Sequence, residues 1–480
     1  MKYILSIGVM LCLLSCFSNK NEVKSSEALN KNVLETYLKS MAQTHAIPGM
    51  AVAIIKDDQV YYQGYFGLAD LESRDSIDDR TIFRIYSTTK LLTSTGIFQL
   101  IANGKIALND KINTYVEGLP PSWNDIEIQH LLTHSSGLPD IIWYDNQLGD
   151  QELINKMGSD GMVFKPGEQF WYNQTNYWLL SRAVEKITGM SFESFIIQNQ
   201  LSGDSTHSFF SSNSAKIIPH RANKYEYNFE KREFEKTTNN DGRRAHPGNG
   251  LNITLNALIA WNKKLDDNQL LDSVTKVNMW RSFEFGNKKD KFRYGWGDYT
   301  SGSTESIGFT GGGVSGFRKF TKNNLSILFL SNGYKYFPVH DLIINHLAGL
   351  VDSNLLNPES LVKETIQSDF ILLPIQQALL NYQDIRKQNP NLDLEGILNS
   401  LGYALMKEDR VKDAIEVLAI NVEENPNSSN VYDSFAEAYF KNRQYEQSLK
   451  YYKKSLELDP TNNNAVAMIE EINQHMSNKK

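Results

Sequence analysis

A serine standing three residues ahead of a lysine is the first place in this chain where chemistry suggests itself. Ser87 and Lys90 lie in Phe83-Arg84-Ile85-Tyr86-Ser87-Thr88-Thr89-Lys90. The apolar residues Leu91, Leu92, Ile97, Phe98, Leu100 and Ile101 follow with a helical period. The spacing predicts a helix starting near Ser87, where unpaired backbone N–H groups favour negative charge. Positions i and i+3 share a helix face, so the Lys90 ammonium is expected beside the Ser87 hydroxyl. A serine hydroxyl is a poor nucleophile until a base and a preformed oxyanion site activate it. The same pattern also describes a capping serine next to a solvated lysine. It recurs at Ser273/Lys276, Ser360/Lys363 and Ser477/Lys480, where nothing nearby adds chemistry.

The elements around this pair can be read in outline. A helix is expected over 29–44, then Pro48-Gly49 breaks the chain. The apolar run 50–55, a turn at Lys56-Asp57-Asp58-Gln59 and a second strand over 60–68 predict a hairpin. Asn103-Gly104 suits the end of the Ser87 helix. Residues 105–250 mix helical patches with Gly, Pro and Asn loops. Strand character returns over 290–333, at Tyr294-Gly295-Trp296-Gly297 and 325–330. This order predicts an α+β domain: an antiparallel sheet built from both ends, with a mostly helical insertion between.

The N-terminus reads as a targeting segment. Met1-Lys2 supplies positive charge, and the apolar run 3–14 is too short for a stable bilayer-spanning helix. It ends in Leu13-Leu14-Ser15-Cys16, which resembles a bacterial lipobox. The resemblance implies a signal peptide over 1–16, lipidation of Cys16, and a membrane-anchored body in the periplasm or at the outer membrane or cell surface. Both cysteines of the chain, Cys12 and Cys16, lie here, so the body offers no disulfide and no cysteine metal site. Residues 17–28 are polar and read as a flexible tether.

Three further stretches accompany Ser87 and Lys90. They are Gln129-His130-Leu131-Leu132-Thr133-His134-Ser135-Ser136-Gly137-Leu138-Pro139, then Pro166-Gly167-Glu168-Gln169-Phe170-Trp171-Tyr172-Asn173-Gln174, then Gly308-Phe309-Thr310-Gly311-Gly312-Gly313. In this order and spacing they resemble the class C β-lactamase and penicillin-binding-protein-like serine hydrolases, a group that includes D-alanyl-D-alanine carboxypeptidases, D-aminopeptidases and esterases. The likeness covers about 29–350. It implies Ser87 as the acylated nucleophile, Lys90 as the lysine that helps deprotonate it, and Tyr172 as the proton shuttle. It also implies an oxyanion hole from the Ser87 and Gly312 amides, and substrate contacts from Gln174, Phe309, Thr310 and Gly311.

Two positions depart from the family pattern. Gln174 stands where Tyr-x-Asn has its asparagine. Phe309 stands where the strand motif usually has lysine or histidine, the cation that would meet a substrate carboxylate. The departure favours an esterase or amidase acting on a small-molecule substrate without that carboxylate, over a β-lactamase or D-Ala-D-Ala carboxypeptidase. It also favours the alternative of a weak or inactive scaffold lipoprotein. His130 and His134, at i and i+4, lack the intervening glutamate and third ligand of a zinc helix. No metal or organic cofactor is implied. Nor does a net charge of −7 without a basic stripe suit nucleic acid.

Past about 350 the pattern becomes continuously helical. Pro426 and Pro460 are 34 residues apart (460 − 426), and at that offset Leu401 aligns with Phe435, Gly402 with Ala436, Ala414 with Ser448 and Leu418 with Tyr452. This matches the tetratricopeptide pattern. Repeats are expected at 395–428 and 429–462, within a helical region over 361–480 whose leading pair covers 361–390 and whose last helix, 466–476, caps it. Such a solenoid can bind a protein partner or lean on its neighbour.

Overall fold

The computed structural model describes residues 20–201, 203, 206–300 and 304–477. The lipobox and Cys16 lie outside the described residues. A hairpin begins the main sheet: β1 (Gly49–Lys56) and β2 (Gln59–Gly67) are joined by Asp57 and Asp58, both at positive φ. Two such residues give a turn whose twist matches that of the strands. From the far end of the domain come β8 (Gly297–Asp298), β9 (Ile307–Gly311), β10 (Ser315–Phe320) and β11 (Leu325–Ser331). The order is β2-β1-β11-β10-β9-β8, antiparallel throughout, with Met50 opposite Ser331 and Phe309 opposite Phe317. The antiparallel sheet thus draws on both ends of the domain, as the sequence predicts. The expected strand at Tyr294-Gly295-Trp296-Gly297 shrinks to β8, because Gly295 takes φ +80 against Ser94.

Period-2 alternation lets one strand serve two cores. Ala51, Ala53 and Ile55 of β1 face a large core with Phe309, Phe317 and the helical insertion. Met50, Val52 and Ile54 face a second core with α1 (Lys20–Thr44) and a later helix that follows β11. The insertion carries α2 (Thr89–Ala102), α3 (Ile128–Leu132), α4 (Asp150–Asp160), α5 (Thr175–Thr188), α6 (Phe192–Gln200), α7 (His246–Asn249), α8 (Leu255–Asp266) and α9 (Ser273–Trp280). It also holds strands that the sequence hides: β3 (Ile82–Arg84), β4 (Ser208–Phe210) and β7 (Leu251–Thr254) form a small sheet, and β5 (Tyr225–Asn228) pairs with β6 (Glu233–Lys236). Each is only three or four residues long, too short to show alternation. The expected tether is also corrected, since α1 begins at Lys20. Its Lys, Glu and Ala residues are good helix formers, and no Pro or Gly interrupts them.

The helix that covers the second core is α10 (His340–Val351). After it come α11 (Pro358–Leu372), α12 (Ile375–Gln388), α13 (Glu395–Lys407), α14 (Val411–Glu424), α15 (Ser429–Lys441), α16 (Tyr445–Leu458) and α17 (Asn463–Ser477). Small residues bring the paired helices together. A Cβ on Gly402 would lie 2.5 Å from Leu418, and Ser448 Oγ donates to the Ala436 carbonyl at 2.8 Å. This run docks on the sheet domain. Phe337 packs against both the second core and the repeat core. Glu364 accepts from Tyr37 at 3.2 Å and lies 2.9 Å from His346.

Candidate active site

Ser87 lies in a 3₁₀ turn, Tyr86–Thr88, between β3 and α2. Thr88 is the residue that caps α2, and it makes no side-chain cap bond. The chain reaches Ser87 through Tyr86, which takes φ +47. A non-glycine residue there is strained and must be held by its surroundings. The Arg84 guanidinium lies 4.5 Å from the Tyr86 ring centroid and the Lys224 ammonium 5.4 Å from it. Arg84 is itself fixed by Asp241 at 2.6 Å. On another side stands Gly312, at φ +56, where a Cβ would lie 2.6 Å from Tyr86 Cγ. A Cβ on Gly311 would lie 2.1 Å from the Ile85 carbonyl oxygen and 2.8 Å from the Ser87 amide nitrogen. The glycines therefore let the end of β9 press against the Ser87 turn.

Tyr172 donates its hydroxyl to Ser87 Oγ at 2.8 Å. Lys90 is fully buried. Its ammonium donates to Gln174 Oε1 at 3.0 Å and to the Gly248 carbonyl at 2.8 Å, and lies 4.8 Å from the Tyr172 ring centroid. Burial lowers the Lys90 pKa below the ordinary lysine value, opposed by the charge and hydrogen bonding of Tyr172 and by Asp140. The extra methylene of Gln174 thus keeps the contact to Lys90. Phe309 is only 7% exposed, with its ring centroid 5.9 Å from Lys90 Nζ, 6.3 Å from the Tyr172 ring and 6.0 Å from Phe292. It forms a packed wall beside the lysine. Thr310 points to the opposite face, toward Tyr299.

Sequence reasoning missed four supports. Gly248, 158 residues from Lys90, has no room for a side chain: a Cβ would lie 2.6 Å from Gln174 Oε1 and 3.0 Å from Lys90 Nζ. Asp140 accepts the Gln174 amide at 3.0 Å and fixes the start of α5. Arg84 and Tyr86 shape the serine turn. His130 and His134 have hydrogen-bonding roles. His130 Nδ1 accepts the Glu127 amide at 3.0 Å, and His134 Nδ1 accepts the Asn173 amide at 3.3 Å. Burial, then the nearby Lys90 charge, hold the His134 pKa well below the usual histidine range. Its neutral ring lies 4.4 Å from the Tyr172 ring. Trp171, the chain neighbour of Tyr172, is exposed and stands 6.4 Å from the exposed Trp143, ring centroid to ring centroid.

A hydroxyl bonded to a phenol, beside a buried amine of lowered pKa, can pass a proton and attack a carbonyl. The comparisons agree with that class. The Beta-lactamase family profile matches residues 34–348, and the chain belongs to this family of serine hydrolases. A Tetratricopeptide repeat profile matches residues 436–462. Penicillin-binding protein 4* of Bacillus subtilis (strain 168) is 29% identical over 172 residues, which is 34% of this chain and 38% of that protein. The match therefore spans under two fifths of that relative's length. Among solved structures, the octameric penicillin-binding protein homologue from Pyrococcus abyssi superposes with a TM-score of 0.59 at 24% identity, over 70% of this chain and 81% of that one. EstCE1, a hydrolase with promiscuous acyltransferase activity, superposes with a TM-score of 0.55 at 15% identity, over 70% of this chain and all of that one. These likenesses speak for the fold.

Proposed function

We propose that this protein hydrolyses small neutral esters or amides through an acyl-enzyme on Ser87. The observation that carries the reading is the 2.8 Å bond between Tyr172 and Ser87 beside the buried Lys90. With Lys90 as the neutral amine, the Ser87 proton passes to the Lys90–Tyr172 pair as Oγ bonds the substrate carbonyl carbon. The Ser87 and Gly312 amides receive the oxyanion. As the bond to the leaving group breaks, Tyr172 returns the proton to that group. Water then attacks the acyl-enzyme by the same route, releasing the acid and restoring Ser87.

The preference for a neutral substrate rests on Phe309, which puts a ring where a cation would meet a carboxylate. The exposed aromatic pair of Trp171, next to Tyr172 in the chain, and Trp143 adds apolar surface. The test is to compare kcat/KM for p-nitrophenyl butyrate, nitrocefin and a D-Ala-D-Ala peptide on the purified protein. The ester is expected to be fastest, and a preference for either carboxylate-bearing substrate refutes the assignment. We also propose, from Leu13-Leu14-Ser15-Cys16, that the body is exported and anchored through a lipid on Cys16. The tetratricopeptide match supports a protein partner for the helical region.

A further inference from the structure

The linker from β11 to α10, residues 332–339, touches two things at once. At one end it backs the glycine turn after β9. A Cβ on Gly313 would lie 3.0 Å from Pro338 Cγ, and His340 Nδ1 lies 3.2 Å from the Gly313 carbonyl. A carbonyl can only accept, so that imidazole carries its proton on Nδ1. At the other end the linker is gripped by the repeat region. Glu408, in the turn between α13 and α14, forms an ion pair with Lys335 and accepts the Tyr336 hydroxyl at 3.1 Å. Both side chains of the ion pair are about four-fifths buried, which shields it from salt. The β5–β6 hairpin closes the same junction. Lys335 Nζ lies 5.0 Å from the Tyr227 ring centroid, and Lys407 Nζ 5.9 Å from that of Phe229. Lys224, just ahead of that hairpin, meets Tyr86 next to Ser87.

We infer that Glu408 is a positioning residue for the hydrolase site, holding the turn at Gly312 and Gly313 in place through Lys335, Tyr336 and Pro338. The inference rests on the assignment of the Gly312 amide to the oxyanion. A donor aimed at charge that develops only in the transition state acts on kcat and leaves substrate binding alone. Removing such a donor costs about 10²–10³ in kcat. Loosening its support while keeping the donor should cost less, about tenfold, with KM within about twofold.

The experiment uses the full chain with Glu408→Ala, Glu408→Gln and, as a control, Glu424→Gln. Glu424 accepts from Tyr382 at 2.7 Å and pairs with Arg386 inside the repeat region. Its substitution weakens the repeats and leaves the linker contacts untouched. Two readouts are taken: hydrogen exchange of the peptide covering residues 311–316, and kcat and KM on p-nitrophenyl butyrate. Exchange there reports the bonds from the Val314 amide to the Gly311 carbonyl and along β10. Glu408→Ala should exchange faster and lose kcat. Glu408→Gln, which keeps the Tyr336 bond, should fall between it and wild type, and Glu424→Gln should match wild type on both. Unchanged exchange in Glu408→Ala overturns the inference, as does an equal loss of kcat in Glu424→Gln. Faster exchange with unchanged kcat overturns the oxyanion assignment of Gly312 instead.

Discussion

Phe309→His places an imidazole where the family usually has a cation, and its effect can be worked out from one distance. The Phe309 ring centroid is 5.9 Å from Lys90 Nζ. Two unit charges at that separation repel by 332/(20 × 5.9), about 2.8 kcal/mol at an effective dielectric constant of about 20. That is about two pKa units. With Lys90 protonated, a histidine there is held roughly two units below its usual value of about 6.5 and is neutral at pH 7. It can still donate a hydrogen bond to a carboxylate, worth about 1.5–3 kcal/mol. Substrates bearing a carboxylate should therefore gain about ten- to a hundredfold in kcat/KM. A neutral ester gains nothing and loses the packing of the buried ring against Phe292 and Tyr172. The assay is the ratio of kcat/KM for p-nitrophenyl butyrate over nitrocefin, in wild type and variant, at pH 7 and well below the melting temperature. The ratio should fall by about one to two powers of ten. An unchanged ratio refutes the idea that residue 309 faces the bound substrate.

Other substitutions separate the remaining roles. Ser87→Ala should abolish labelling by a fluorophosphonate and change the melting temperature little, because Ser87 does not cap α2 and the lost hydroxyl bond is worth about 1 kcal/mol. Labelling that survives puts the nucleophile elsewhere. Gln174→Leu removes an acceptor that stabilises the Lys90 ammonium, so the neutral amine forms at lower pH. The acid limb of kcat/KM should move to lower pH, and a limb that stays put means Lys90 is not the base being titrated. Cys16→Ala should abolish incorporation of a clickable fatty acid, and equal labelling of wild type and variant rejects the lipid anchor.

What could be read in the sequence was what short-range patterns encode. The Asp57-Asp58 turn, the end of α2 at Asn103-Gly104 and the 34-residue helical register all follow from residues close in the chain. The approach of Ser87, Tyr172 and Phe309 came from ordered motifs, and the structure brings those three and Lys90 together. The seat of Lys90 could not be read, because the Gly248 carbonyl reaches it across 158 residues from a four-residue helix without periodicity. The strain at Tyr86 was hidden as well. A tyrosine gives no sign of positive φ, and the need arises only when β9 packs on the serine turn. The start of α1 at Lys20 is hidden because a polar run without Pro or Gly suits a helix as well as a tether.

Phe309 and Lys90 together supply a physical reason for the proposed neutral substrate. Burial alone pulls the Lys90 pKa down, while Tyr172 and Asp140 push it up. His134, packed close by, is neutral and gives no cationic help. A base made only by burial is easily undone by an added negative charge. A substrate carboxylate held against the Phe309 ring would attract the ammonium and raise its pKa. More of Lys90 would then be protonated at neutral pH, and the rate would fall about as far as the amine fraction does. A lysine cation at 309 would offset that charge while binding it. With phenylalanine there, such a carboxylate would be unmatched and would also disarm the base, so under the proposed function exclusion of such substrates and retention of a basic Lys90 would be two consequences of one side chain.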